Sequence, residues 1–339
     1  MKGIAMNRNG GLMTSKSIMT GEALALIEPP RANGYGRTAM DTVIVPNPRV
    51  SLSRTMDFVT LTKPEITLLV VLATGLGSMM ASTGLDQVLF LHVLCGTALL
   101  ASGSATLNQY LERAHDAKMR RTARRPLPAG RVTPQEALYF GLGLSLSGML
   151  YLAFTLNALT SLIGLVALLS YLLLYTPLKR RTPLCIPIGA FPGAAPVLMG
   201  WSAVRGGLAP EAWLLFAILF LWQLPHVLAI AWLYREDYAH AGMQMLSKGA
   251  EEGRRVFRQM WIASLALSVA ALLPGMIGMT GRLSLYGALV LDLGLLCFVA
   301  RVSSRRSTQA ARRLLHATVL YLPLLYTVMV LDKAWSPIG

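Results

Sequence analysis

Apolar and polar residues alternate along this chain in long blocks. Nine apolar runs, at 65–83, 88–107, 136–155, 158–176, 184–204, 212–232, 258–279, 283–301 and 313–332, follow one another with short polar gaps. At about 1.5 Å of rise per residue, each is long enough, as a helix, to cross most or all of a hydrocarbon core roughly 30 Å thick. The pattern predicts an all-α fold: a polytopic membrane helical bundle of about nine transmembrane helices. The third and fourth runs are parted only by a tight turn near Asn157. The fifth holds Pro187, Pro192, Pro196, Gly189, Gly193 and Gly200. It is expected to kink and pack closely on neighbours that resatisfy its backbone. Residues 1–55 carry Gly, Pro, Asn, Ser and scattered Arg with no sustained apolar period. They predict a flexible cytoplasmic tail ahead of a membrane-embedded domain at 56–335. Their one apolar patch, Ala23 to Ile27, is too short for a signal-peptide core.

Composition agrees with this picture. Of 339 residues, 54% are hydrophobic and 14% charged, and the mean hydropathy is +0.52, which excludes an ordinary soluble domain. A net charge of +15 raises nucleic acid as a partner, but the charges sit in the gaps between apolar runs. All of the 31 Lys and Arg except Arg205, Arg282 and Lys333 fall on one side if the N-terminus is cytoplasmic. That asymmetry orients the chain N-terminus in and C-terminus out, and assigns the charge to orientation and anionic lipid rather than nucleic acid. Cys95, Cys185 and Cys297 lie in or beside apolar runs without a C-x-x-C spacing, so neither a disulfide framework nor a zinc site is expected.

Candidate chemistry gathers where the second run ends. Asn108, Glu112 and Asp116 follow at i, i+4 and i+8. Each step on a helix is roughly 6 Å of rise and about 40° of rotation, so three oxygen-bearing side chains share one face. Such a set suits Mg²⁺, a hard cation that takes oxygen ligands and bridges to phosphate. Lys118, Arg120, Arg121, Arg124 and Arg125 come directly after and can hold the phosphate. A polar helix end with an ordinary basic loop fits the same residues.

A second constellation closes the sixth run, where Glu236 and Asp237 fall on the same side of the membrane as the first motif. Carboxylates at a helix C-terminus oppose its dipole, so local stability does not explain them. They can hold a second cation, or form a solvated pair. His226, inside the same run, is an intramembrane ionisable residue and therefore a functional candidate. Its neutral imidazole can ligate iron, and a hydrogen-bonded structural histidine beside Pro225 fits equally. Between the fourth and fifth runs stand Lys179, Arg180 and Arg181.

Asn108-x-x-x-Glu112-x-x-x-Asp116 with Arg121-Thr-Ala-Arg-Arg-Pro-Leu-Pro-Ala-Gly-Arg resembles the first signature of the protoheme IX farnesyltransferases. These heme O synthases are a family of UbiA-type intramembrane prenyltransferases. Tyr175-Thr-x-x-Lys179-Arg180-x-Thr182-Pro183, Trp222-Gln-x-Pro-His226 and Arg235-Glu-Asp-Tyr-x-x-Ala-Gly-x-x-Met are similar to further blocks. The resemblance runs from about residue 57 to 333. Departures include Glu65 in place of a frequent arginine, Cys185 for asparagine, Val227 for phenylalanine, and Leu233 where the wider superfamily often carries aspartate.

The resemblance implies a UbiA-like fold and conversion of heme B, farnesyl diphosphate and water to heme O and diphosphate. It implies Mg²⁺ as cofactor, with Asn108, Glu112, Asp116 and Asp237 as catalytic ligands and Glu236 beside them. Lys63, Lys118, Arg121, Arg125, Lys179, Arg180 and Arg235 would bind the diphosphate, and His226 would bind or orient the heme. The implied setting is a bacterial-type inner membrane, with heme-copper oxidase assembly as the destination of the product. A sister prenyltransferase acting on an aromatic or quinone precursor is the near alternative. A transporter, with its fifth helix broken at the midplane, is the alternative from another class.

Overall fold

Local sequence sets where each helix starts. Pro64 opens α2 (Pro64–Ala81) at a position where the missing N–H costs nothing. The Asp86 side chain accepts from the Val88 and Leu89 amides at the head of α3 (Gln87–Asp116). Thr133 and Glu136 cap each other reciprocally at the start of α4 (Pro134–Thr155). Asn157 accepts from the Thr160 amide to begin α5 (Ala158–Leu169), the first part of a span that runs to Leu178, so two spans turn back on each other across a minimal connection.

The structure is a computed structural model describing residues 48–84, 86–119, 121–246 and 252–335. The first 47 residues of the expected tail, and Arg120, lie outside the described residues. The described part begins with α1 (Pro48–Leu61), a helix ahead of the boundary expected at residue 56. Beyond α5 the chain passes through a π-helical turn (Ser170–Tyr175) into the short α6 (Thr176–Leu178). There follow α7 (Cys185–Arg205), α8 (Pro210–Leu233), α9 (Arg235–His240), α10 (Glu252–Met276), α11 (Arg282–Arg305) and α12 (Thr308–Trp335). Among the described residues there is no strand, and nine helices are long and apolar enough to cross a membrane. Large apolar side chains such as Leu68, Leu146, Phe154, Val290 and Leu320 are exposed on the outside, as a bilayer-facing surface requires.

Two helix groups meet along α7 and α8. In one, α3 packs along α4 and α2 along α7; in the other, α10 and α12 pack against α8, and α11 packs against α10 and α12. Close approach of α2 and α7 depends on Gly77, set against the Val197 carbonyl, and Gly200, set against the Thr74 carbonyl. The fifth span is one unbroken helix, α7, with Pro192 and Pro196 inside it. The discontinuity on which the transporter alternative rested is therefore absent from this helix.

Candidate functional site

The site is built on the last three turns of α3. Asn108, Glu112 and Asp116 are all buried there, and each meets a cation from a different part of the chain. The Lys63 ammonium donates to Asn108 Oδ1 at 3.1 Å. Lys179 Nζ donates to Glu112 Oε1 at 2.9 Å and Oε2 at 3.3 Å. Arg125 Nη1 donates to Asp116 Oδ2 at 2.8 Å. The Asn108 amide nitrogen in turn donates to Thr176 Oγ1 at 3.1 Å, which ties α3 to α6.

Each of these cations is held in place by its own local structure. Lys63 has a left-handed backbone, φ 48°, an uncommon conformation for a side-chain-bearing residue. The turn around it is pinned by Gln109, whose amide donates to the Leu61 carbonyl at 2.8 Å, and by the Thr67 hydroxyl, which donates to the Thr62 carbonyl. The loop carrying Arg125 is folded onto α3 by the Thr122 hydroxyl, which donates to the Asp116 carbonyl at 2.7 Å. Lys179 also stands 4.4 Å from the centre of the Tyr175 ring.

Crowding of like charge separates the two lysines. Burial, then the nearby Arg125 and Lys179 charges, push the Lys63 pKa down to about 7. Burial also works against the Lys179 charge, but Tyr175 and the Glu112 carboxylate outweigh it, and its pKa stands well above the usual lysine value.

Below these charges lies a cavity of 360 Å³ walled by α2, α3, α5, the π-helical turn, α7 and α8. Lys63 and Tyr175 line its charged end; Ile66, Val70, Leu100, Leu168, Pro196 and Met199 make much of the remainder apolar. Tyr171 and Tyr175, one π-helical turn apart, stack with ring centres 5.4 Å apart at 24°. The wider π-helical turn, a device frequent at functional sites, is what brings this pair onto the cavity wall. Gly189 of α7 leaves space for the Tyr175 ring, and Gly193 leaves space for the Gln223 amide, which also lines the cavity. The i, i+4 spacing of Tyr171 and Tyr175, ahead of Lys179 at i+8, was the available sequence signal for the two rings on this wall.

The second acidic cluster is differently placed. Glu236 is 81% exposed and accepts from its neighbour, Arg235 Nη2, at 3.3 Å. Asp237 is half-buried on α9. The structure joins this region to the first motif through Arg121, which donates to the Tyr238 hydroxyl at 3.3 Å and lies over the Tyr234 ring at 5.0 Å. Burial opposes the Arg121 charge, but the Tyr238 hydroxyl offsets it and the arginine pKa is raised. The Gln244 backbone amide donates to the Lys179 carbonyl at 2.7 Å, so the segment after α9 docks on the Lys179 turn. Lys118 and Arg180 are exposed, and both contribute charge near His115. Arg235 packs over the Trp232 ring at 5.1 Å. Among the described residues no group of three or more His, Cys, Asp or Glu is placed to hold a metal ion. The buried face of α3 instead mixes an amide with two carboxylates, an all-oxygen donor set that fits a hard cation.

His226 faces α12 and is not part of the cavity wall, whereas Val227 is. Its Nδ1 lies 2.9 Å from Thr318 Oγ1. The Thr318 hydroxyl donates its proton to the Leu315 carbonyl at 2.7 Å, so the histidine donates from Nδ1. In the neutral ring Nε2 is then left as the acceptor. Trp222 stacks on the imidazole, centres 4.9 Å apart, and donates from Nε1 to the Thr318 carbonyl at 2.8 Å.

A membrane-embedded helical bundle with a charged mouth over an apolar chamber defines a class, and comparison with known proteins names it. Residues 69–322 match the UbiA prenyltransferase family, and the chain belongs to that family: it is a multi-pass membrane prenyltransferase. It is 48% identical over 287 residues to a protoheme IX farnesyltransferase of Solibacter usitatus (strain Ellin6076), covering 82% of this chain and 98% of that one. A protoheme IX farnesyltransferase of Koribacter versatilis (strain Ellin345) is 42% identical over 300 residues, covering 85% and 96%. The fold is similar to that of a digeranylgeranylglyceryl phosphate synthase, with TM-score 0.70, 15% identity and coverage of 83% and 99%. It is also similar to a UbiA homolog from Archaeoglobus fulgidus bound to GPP and Mg²⁺, with TM-score 0.60, 14% identity and coverage of 80% and 99%.

Proposed function

We propose that this chain converts heme B to heme O, transferring a farnesyl group from farnesyl diphosphate to a heme vinyl group. The observation that carries the reading is the junction of the cation-matched α3 face with the apolar cavity, in a chain 48% identical to a protoheme IX farnesyltransferase. An allylic diphosphate has the same division: a strongly anionic head and a hydrocarbon tail. Lys63, Lys179, Arg125 and Arg121 converge where the head would lie, and Lys118, Arg180 and Arg235 add positive charge at that end. The chamber, within the usual size range of about 300–1,000 Å³ for small-molecule sites, takes the tail and excludes water.

Asn108, Glu112 and Asp116, with Asp237 from the second cluster, are the residues that would hold Mg²⁺, and the exposed Glu236 stands beside them. When bound, Mg²⁺ supplies neutralisation of the departing diphosphate. The cations now paired with the α3 face have the right charge to engage phosphate oxygens as the bond between farnesyl C1 and oxygen breaks. The stacked Tyr171 and Tyr175 faces shield the allylic carbon from water. The vinyl group then forms the new C–C bond, water adds as hydroxyl to the adjacent carbon, and its proton leaves to solvent. His226, with Nε2 free to accept, binds or orients the macrocycle from the α8–α12 side.

The setting that fits this chemistry is a bacterial-type inner membrane. The Lys and Arg asymmetry favours a cytoplasmic N-terminus and an outside C-terminus, and heme-copper oxidases would receive the product. The test is chromatography of heme extracted from cells with and without the protein. A later-eluting farnesylated heme should appear only with it; heme B alone in both extracts would overturn the reading.

A further inference from the structure

The cavity has a definite floor. Following each helix away from the charged end, the last lining residues are Thr97 and Leu100 of α3, Gly164 of α5 and Met199 of α7. Leu100, Gly164 and Met199 come together there. A Cβ built on Gly164 would meet Leu100 Cδ2 at 2.5 Å and Met199 Cε at 3.2 Å. One turn further out, Thr160 Oγ1 and Ser202 Oγ lie 2.8 Å apart, and the Asn157 amide donates to the Ser202 carbonyl at 3.0 Å. Thr160 and Ser202 are fully buried. The floor is therefore an apolar contact of few atoms backed by a polar tie between α5 and α7, which a hydrocarbon tip does not enter without breaking buried hydrogen bonds.

The depth of the chamber matches a particular chain. From Asn108 to Thr97, and from Tyr175 to Gly164, a helix rises about 16 Å. A fully extended covalent chain advances roughly 1.2 Å per bond, by analogy with a peptide of about 3.5 Å per three-bond residue. On that scale a three-unit isoprenoid reaches about 14 Å and a fourth unit extends it to about 19 Å. Three units end above the floor, and a fourth presses into Leu100 and Met199.

We propose that Gly164, Leu100 and Met199 form the stop that sets the length of the transferred prenyl group. The inference rests on the prenyl-transfer reading of this cavity. Gly164 keeps the stop low, because any side chain there drives the Leu100 and Met199 tips up into the chamber. Met199 keeps it closed, because its flexible thioether covers the approach to the Thr160–Ser202 tie.

The experiment gives the purified full-length protein heme B, Mg²⁺ and an equimolar mixture of geranyl, farnesyl and geranylgeranyl diphosphates. Products are resolved by chromatography and mass, and the affinity for each diphosphate is measured by calorimetry. Met199→Ala should raise geranylgeranyl over farnesyl transfer by about tenfold or more, the scale on which a hydrophobic pocket discriminates size. Gly164→Ala should move the preference about as far toward geranyl, and calorimetric affinities should shift in the same directions. Met199→Ala carries the test if Gly164→Ala does not fold. Farnesyl transfer with wild-type ratios in every folded variant would overturn the stop alone. A wild-type protein that transfers none of the three would overturn the farnesyl-transfer reading and the stop together.

Discussion

The two acidic clusters have similar composition and opposite surroundings. On α3 the amide and both carboxylates are buried, and each accepts from a cation brought from elsewhere in the chain. On α9 Glu236 stands mostly in solvent beside its own neighbour, and Asp237 is half-buried. Burying a carboxylate costs several kcal/mol unless a partner offsets it. A sequence that buries two carboxylates, each against its own cation, has therefore committed that face to one arrangement. The α9 cluster shows no such commitment: Glu236 is exposed and Asp237 half-buried. The difference assigns preorganisation to α3 and not to α9.

The sharpest way to break this comparison is to remove a member of the committed face. Asp116→Ala should lower turnover of the purified protein on the order of 10²-fold or more while insertion in the membrane persists. Near-normal turnover would show that the α3 face is structural. Next in size, Lys179→Ala leaves Glu112 buried without its partner. It should cost about 3–5 kcal/mol of stability, read as a lower unfolding midpoint in detergent, together with weaker farnesyl diphosphate binding. An unchanged midpoint would mean that Glu112 finds water or another cation.

His226→Ala should weaken heme binding, followed by absorbance, about tenfold, the size of one lost hydrogen bond or weak ligand. Farnesyl diphosphate binding, followed by calorimetry, should stay near the wild-type value. A wild-type Soret spectrum and heme affinity in this variant would reduce His226 to a packed histidine. The smallest effect belongs to the exposed cluster. Glu236→Gln should change turnover by no more than about threefold, in keeping with the weak energetics of exposed pairs. A loss as large as that of Asp116→Ala would place Glu236 on the bound metal after all, and dissolve the distinction between the two faces.

Much of this was legible in the sequence, for identifiable reasons. Apolar runs report membrane helices directly, and the nine expected spans correspond to α2–α5 with its continuation, α7, α8 and α10–α12. The i, i+4, i+8 spacing placed Asn108, Glu112 and Asp116 on one face because α3 continues unbroken to Asp116. Pairing was not legible. That Lys63, Lys179 and Arg125 each take a different oxygen depends on tertiary approach across 45, 67 and 9 residues of sequence. α1 escaped because its sequence interleaves Arg, Ser, Thr and Asp with its apolar residues and shows no sustained apolar run. The π-helical turn escaped because Tyr171-Leu-Leu-Leu-Tyr175 reads equally well as an ordinary helix. The Nδ1 donor role of His226 escaped because it is fixed by Thr318, 92 residues away.

The length of α3 carries one more consequence. Its 30 residues rise about 45 Å, well beyond a hydrocarbon core of roughly 30 Å. The helix thus lines the cavity in one phase and, in the proposed reaction, carries the diphosphate end at the edge of another. The products of the proposed reaction sort themselves accordingly. Diphosphate dissolves into water, while the farnesylated macrocycle, now more lipophilic than before, stays in the lipid. Reversal would need a dilute aqueous anion to meet a membrane-bound partner again at one narrow mouth. Separation of the products along a single helix therefore works against reversal.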